Sequence, residues 1–361
     1  MNASTRRVLA ALAHQRPDRI PTFDGFWPET SRRYRAVFGI PGEQSLEDYF
    51  GIDFAIVVPD ETPFFSQARV LEDRAEEQVR VDGWGRTVRV LKRGYFSQTL
   101  DVAIKGPRDL ERARFDPPEA DGRYARCLAS LDARKRRFCC FTKTGGPFLR
   151  TCYLRGQETF LMDIAADPAF ARALADRTAD HLTAIGLESL RRFGLYDTGV
   201  WIYDDMCNND QPMFSPAAFE RVFLPGYRRM VAAWKGAGSR HVVVHSDGNL
   251  TPLLDMLADA GVDGINPVEP KAGMDLADLK ARYGRRLAFI GGMCNAHVLP
   301  SGDREAIRRA TLRIIEAGRD GGVAIGAHSI GPDIEPESYR FYHELVTKHG
   351  RCGGQGQQAG G

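Results

Sequence analysis

Apolar runs of five or six residues recur through the C-terminal half of the chain, each followed by a longer segment with helical spacing. GVWIY (199–203) precedes SPAAFERVFLPGYRRMVAAWKGAG, where Ser215 is placed as an N-cap and Pro216 as the first helical residue. A cap hydroxyl takes up a free N–H at the helix start, and proline loses nothing there because its missing N–H had no partner. HVVVH (241–245) precedes NLTPLLDMLADAG, which closes on Gly261. GINPV (264–268), LAFIGG (287–292) and VAIGA (323–327) continue the alternation, each with a helical segment after it. Strand-like runs alternating with helices predict parallel βαβ units.

Three further runs lie upstream: IPTFDG (20–25), FAIVVP (54–59) and RFCCFTKT (137–144). The helical stretch 156–194 is predicted to break near Asp167-Pro168. Eight strands, each with its helix, predict an α/β fold of the (β/α)8 TIM-barrel type. The rival is an open doubly wound sheet, but no Gly-x-Gly-x-x-Gly follows the first strand. Residues 60–136 are too long for one connection, and EEQVRVDGWGRTVRVLKRG within them alternates around a Gly-rich turn. This predicts a β-hairpin-containing insertion after strand two, read equally as surface decoration or substrate lid. The chain is thus expected to be one barrel domain over 1–349 with a low-complexity, disordered tail over 350–361.

Composition narrows the partners. Hydrophobic residues make up 43%, enough for a globular core, and the net charge is only +2. That balance gives no field to draw in nucleic acid or an anionic membrane, so a small-molecule substrate is expected. The N-terminal apolar stretch is broken at His14 and Gln15, which argues against a signal peptide, and no membrane span is expected. The seven cysteines include no C-x-x-C pair, which fits a reducing cytoplasm better than a disulfide framework.

In such a barrel the chemistry sits at the C-terminal strand ends. Those ends carry Asp24, then Asp60 and Glu61, Thr142 and Lys143, Tyr203 to Asp205, His245 and Asp247, Asn266 and Glu269, Met293 and Cys294, and His328. In HVVVHSDGNL (241–250), His245 and Asp247 are two apart on an extended segment and share a face. They read as metal ligands, as an acid/base pair, or as the polar end of a strand, with Asp247 also suited to an Asx turn or helix cap. Together with His328 they would form a two-His, one-carboxylate set for zinc or another divalent metal, with Cys294 as a softer ligand or an inert thiol. Asp204, Asp205 and Glu269 are the catalytic candidates. Asp24, Phe26, Trp27 and Phe148 are the substrate-binding candidates.

These stretches resemble the uroporphyrinogen decarboxylase superfamily, which also contains zinc-dependent corrinoid methyltransferases. The resemblance spans nearly the whole chain. It is carried by RPDRIPTFD, YDDM…FSPAAFERVFLPGYRRMV, HVVVHSDGNLTPLLDMLADAGVDGINPVEP, LKARYGRRLAFIGGM and GGVAIGAHSIGPDIEPESY. The decarboxylases themselves resemble a pattern with Met-Arg-Gln-Ala-Gly-Arg after the first strand. Here that place reads FDGFWPETSRRYR, with Arg32, Arg33 and Arg35 out of its spacing. The methyltransferase branch resembles a zinc site of His-x-Cys on strand five and Cys after strand eight. His245 matches the His, while Asp247 and His328 stand at the two thiolate positions. This harder set suits polarising an oxygen better than activating a thiol.

The resemblance therefore implies a metal-dependent methyltransferase. It would move a methyl group from a small donor, such as an aryl ether, to a thiol or to a corrinoid on a partner protein. Two alternatives stay open: a metal-free decarboxylase or lyase acting on a tetrapyrrole or small carboxylate through Asp24, Asp204 or Asp205, and a non-catalytic binding member of the fold. Related barrels often pair, so a homodimer is also compatible with the resemblance.

Overall fold

A computed structural model of the chain describes residues 1–93 and 97–352. Gly94 of the expected hairpin stretch and residues 353–361 of the expected tail lie outside the described residues. Among the described residues, twelve strands run in chain order as β1 (Thr22–Phe26), β2 (Phe54–Val57), β3 (Arg69–Asp73), β4 (Glu77–Val81), β5 (Thr87–Leu91), β6 (Ser97–Asp101), β7 (Cys139–Gly145), β8 (Gly199–Tyr203), β9 (His241–His245), β10 (Gly264–Val268), β11 (Ala288–Gly292) and β12 (Val323–Ile330). Eight of them form one sheet in the order β1-β12-β11-β10-β9-β8-β7-β2. All its pairings are parallel, and the first strand pairs with the last, Asp24 opposite His328. This is the expected α/β barrel, nearly closed.

The incomplete joint is between β1 and β2, which share no ladder among the described residues. They are tied at their N-terminal ends by Asp53. Its N–H donates to Thr22 O at 3.0 Å, and its carboxylate accepts the Thr22 N–H at 2.9 Å. Arg7, Arg19 and Ser4 donate to the same buried carboxylate. Below the mouth the interior is filled. Trp201 packs against Phe23, Phe54 and Phe141 with ring centroids 5.0, 5.7 and 5.5 Å apart. Val8 and Leu12 of the N-terminal helix Ala3–Leu12 join that cluster. The barrel interior below the mouth is therefore packed with side chains, and the C-terminal strand ends are where chemistry is expected.

The helices follow their sequence signals. Ser215 accepts from Ala218 N–H with Pro216 first in its helix, and Asp167 caps Pro168–Phe193. Between β2 and β7, strands β3 to β6 form an antiparallel sheet in chain order. β4 and β5 are joined by a turn whose Asp82 accepts from the N–H groups of Trp84 and Arg86. Trp84 is buried and lies 5.6 Å from the Tyr153 ring, which docks this sheet onto the helix Pro147–Arg155. Gly350 to Cys352 run against Asp18–Ile20, with Gly350 O accepting from Ile20 N–H and Cys352 N–H donating to Asp18 O. No helix among the described residues is long and apolar enough to cross a membrane.

Candidate active site

His245 ends β9, in register with Tyr203 of β8 and Asn266 of β10. Asn266 Nδ2 donates to Ile290 O at 3.2 Å, which turns its Oδ1 toward His245 Nδ1 at 2.7 Å. Nδ1 therefore carries the proton, and the Nε2 lone pair is left for the mouth, the usual arrangement behind a metal-binding imidazole. The Tyr203 ring stacks on the His245 ring at 4.3 Å and fixes its plane.

Gly248 (φ +86) turns the chain just after Asp247, and a Cβ there would meet Asn208 O at 2.2 Å. The turn leaves Asp247 Oδ1 3.4 Å from His245 Nε2 and 3.3 Å from His328 Nε2. This oxygen is buried and takes no hydrogen bond. Burial opposes ionisation of Asp247, but the facing His328 and His245, with Lys271 beyond, bring its pKa down to about 2. His328 has φ +54, a left-handed conformation that costs a side-chain-bearing residue on the order of 1–3 kcal/mol and is typically held at functional sites.

Two more carboxylates complete the mouth. Half-exposed Asp205 accepts from Asp247 N–H and lies 3.7 Å from His245 Nε2. Buried Glu269 accepts from Gly248 N–H through Oε2, while its Oε1 is 3.0 Å from Lys271 Nζ and 3.8 Å from His328 Nε2. The ligand atoms fall into two groups able to hold a metal ion: Asp205, His245 and Asp247; and Asp247, Glu269 and His328. His245, Asp247 and His328 thus come together, but as two sets sharing Asp247 and not as the single three-residue set expected from the sequence.

Several expected site residues have other tasks. Cys294 lies in neither group. Its Sγ accepts from His297 N–H, and it lines an apolar cleft of about 320 Å³ with Met274, Leu276 and Ile314. Asp204 is fully buried and accepts from Leu149 N–H (2.6 Å), Phe148 N–H (3.2 Å) and Tyr227 OH (2.7 Å). It caps the helix Pro147–Arg155 from the end of the neighbouring strand, with burial pushing its carboxyl up to about 6. Phe148 is core, packed among Phe160, Phe214 and Phe223. Phe26 packs on Tyr34, Phe50 and Tyr339 behind β1. Trp27 stays at the rim, 39% exposed, its Nε1 donating to Ser329 Oγ.

Asp24 borders the mouth cavity, yet both its oxygens are committed, one to Ala327 N–H (2.6 Å) and one to Tyr339 OH (3.0 Å). Burial pushes its pKa up to about 7 against the pull of those donors. A raised native pKa means stability that is full below about pH 4 and is lost as pH rises through about 7. Asp24→Asn in metal-stripped protein should therefore have a higher urea midpoint than the parent at pH 8, with the gap closing toward pH 4. Equal midpoints at pH 8 would refute this.

A group without an assigned role in the sequence reading flanks the mouth. Lys143, near the C-terminal end of β7, is held 3.6 Å from buried Glu61, which also pairs with Arg150 Nε at 2.6 Å. The Lys143 ammonium sits 5.3 Å from the Tyr203 ring centre, and burial pulls its pKa down. Its sequence signal was its place at a strand end. The mouth cavity, about 630 Å³, is lined by Tyr203, His245, Asp247 and His328 above Phe23 and Phe54. It continues past the β1–β2 joint to Arg134 on the helix Ala125–Arg137.

A family model described as uroporphyrinogen decarboxylase (URO-D) matches residues 99–349. No curated protein matches the chain. Among solved structures, a methyltransferase from Methanosarcina mazei superposes with a TM-score of 0.69 at 17% identity, over 96% of this chain and 99% of that one. At that identity the likeness is one of fold.

Proposed function

Because the chain belongs to the uroporphyrinogen decarboxylase family, we propose that it is a metal-dependent methyltransferase within it, moving a methyl group from a small donor to a corrinoid or thiol acceptor. The observation that carries this reading is the position of Asp247 Oδ1. Ligands about 2.0–2.2 Å from a tetrahedral zinc stand about 3.3–3.6 Å from one another. Asp247 Oδ1 is 3.4 and 3.3 Å from the two imidazole nitrogens, longer than good hydrogen bonds and spaced as co-ligands are. Zinc or another divalent cation would be held by Asp247 together with His245 and Asp205, or together with His328 and Glu269. Such a cation would supply Lewis-acid polarisation of the donor oxygen.

The chain's own residues shape the rest. Asn266 keeps the His245 lone pair directed outward, and Tyr203 offers a flat wall beside it. Phe23 and Phe54 close the floor against water, so an aryl methyl ether suits the cavity. In the transfer the methyl–oxygen bond breaks, the methyl carbon bonds to the nucleophilic acceptor, and the oxygen keeps the electron pair and takes a proton from solvent. The methyltransferase of similar fold supports this choice of chemistry. A reducing compartment would suit the free thiols of the seven cysteines.

The decarboxylase alternative draws less support. Asp24 and Asp204, the acids it would use, are committed to hydrogen bonds. Arg33 pairs with Glu335 and Arg35 donates to Gln44 O and Pro41 O, so neither is set to hold substrate carboxylates. The test is to incubate purified protein with methoxylated benzenes and a Co(I) corrinoid, following phenol release and the methyl-corrinoid spectrum. Turnover should disappear with chelator, return with zinc, and be absent in His245→Ala. Turnover indifferent to chelator, or carbon dioxide release from a carboxylated substrate instead, would overturn the proposal.

A further inference from the structure

We infer that the barrel mouth is built for two divalent cations bridged by the Asp247 carboxylate, an inference that rests on the metal-dependent reading above. Two ligands of one cation can be no farther apart than twice the metal–ligand distance, about 4.0–4.4 Å. Within each of the two groups at the mouth, the ligand atoms lie within 4.8 Å of one another, and no such group among the described residues contains both imidazoles. One cation therefore does not take His245 and His328 together in this arrangement.

Each imidazole instead has a carboxylate of its own. Asp205 serves His245 at 3.7 Å and Glu269 serves His328 at 3.8 Å. Asp247 Oδ1 lies between them, nearly equidistant at 3.4 and 3.3 Å. A carboxylate shared by two such sets is the arrangement of two-cation sites, whose ions generally lie about 3.5–4 Å apart.

Two further observations favour the second position. The Glu269 side chain is 3% exposed, and its Oε1 takes no hydrogen bond although it faces His328. A buried carboxylate oxygen left in that state is costly unless a cation meets it. Lys271 Nζ, 3.0 Å away, is the cation that meets it here. Its side chain is 26% exposed and flexible enough to swing to solvent and yield the place to a metal ion. Charge agrees. Asp205, Asp247 and Glu269 bring three negative charges to the mouth against the single ammonium of Lys271, while Lys143 and Arg150 share Glu61.

The test uses the full-length protein, stripped with chelator and titrated with Zn²⁺ or Mn²⁺. Metal content by mass spectrometry and binding isotherms are read together. Two ions per chain are expected, and the Mn²⁺ form should show the exchange-coupled resonance of a close pair. Asp205→Asn and Glu269→Gln, each retaining a carbonyl acceptor for its backbone N–H, should each reduce uptake to one ion. Lys271→Ala should tighten the weaker site several-fold. One ion per chain with an uncoupled Mn²⁺ signal would overturn the bridged pair and leave the metal-dependent reading standing. No uptake at all, by a chain whose circular dichroism is unchanged, would overturn both.

Discussion

Asp53→Asn is expected to lower the unfolding free energy by about 3 kcal/mol or more. The Asp53 side chain is fully buried and accepts from Arg7 (2.6 Å), Arg19 (2.8 Å), Ser4 (2.8 Å) and Thr22 N–H (2.9 Å). Asparagine keeps the shape and removes the charge. That strands two guanidinium groups, and breaking a buried pair by neutralising one partner costs about 3–5 kcal/mol. The value should fall toward the lower end. Arg7 keeps a bidentate partner in Asp18, and Arg19 is 26% exposed. The measurement is the shift in urea midpoint, with amide exchange as a local check. The Thr22 and Asp53 N–H groups, both bonded across the open joint of the barrel, should exchange faster in the variant. A shift below about 1 kcal/mol would mean that the arginines re-pair with solvent or Asp18 at no cost.

Asp247→Asn is expected to have the largest effect on function. A partner one bond removed from a metal typically contributes about 10–100-fold in affinity or activity. Loss of the carboxylate that both imidazoles face should exceed that, emptying both proposed positions and abolishing chelator-sensitive turnover. Uptake of metal at the parent's stoichiometry by the variant would contradict it. The fold should tolerate the change. Asp247 is half exposed, so in metal-free protein the stability loss at pH 7 should be on the order of 1 kcal/mol after allowing for solvent screening. Its carboxyl is depressed to about 2 in the folded chain. Its stabilising contribution is therefore present above about pH 4 and fades as pH falls toward 2, where parent and variant should converge.

The barrel was legible because its signals are local. Each apolar run became a strand, and GVWIY, HVVVH and GINPV match β8, β9 and β10 end to end. Ser215 and the Asp167-Pro168 break are local signals too. What escaped depends on partners far away in sequence. Strands β3 and β6 are exposed along their whole length, so no alternation marks them. Asp204 looked catalytic because it ends a strand, but the helix it caps begins 57 positions earlier, at Pro147. Phe148 follows a strand end as a pocket residue would, yet its helix turns it inward onto three phenylalanines. Of the mouth itself, His245, Asp247, His328, Asp205 and Glu269 were all named from their positions. Their division into two sets was not legible, because it depends on the positive φ of His328 and the lateral spacing of β9 and β12, which no linear pattern records.

The pairing of β1 with β12 has a consequence for how the protein is made. Asp24 meets the backbone of Ala327 across 303 positions of chain. On the ribosome, β1 emerges 303 positions of chain before the segment it bonds to, and waits for that neighbour throughout. Throughout that interval β1 and the growing edge of the sheet present unsatisfied, largely apolar ladders, a state prone to mispairing. The mouth, with His328 on β12, is completed only once β12 has been made, so a nascent chain stalled before residue 323 has its edges but no site.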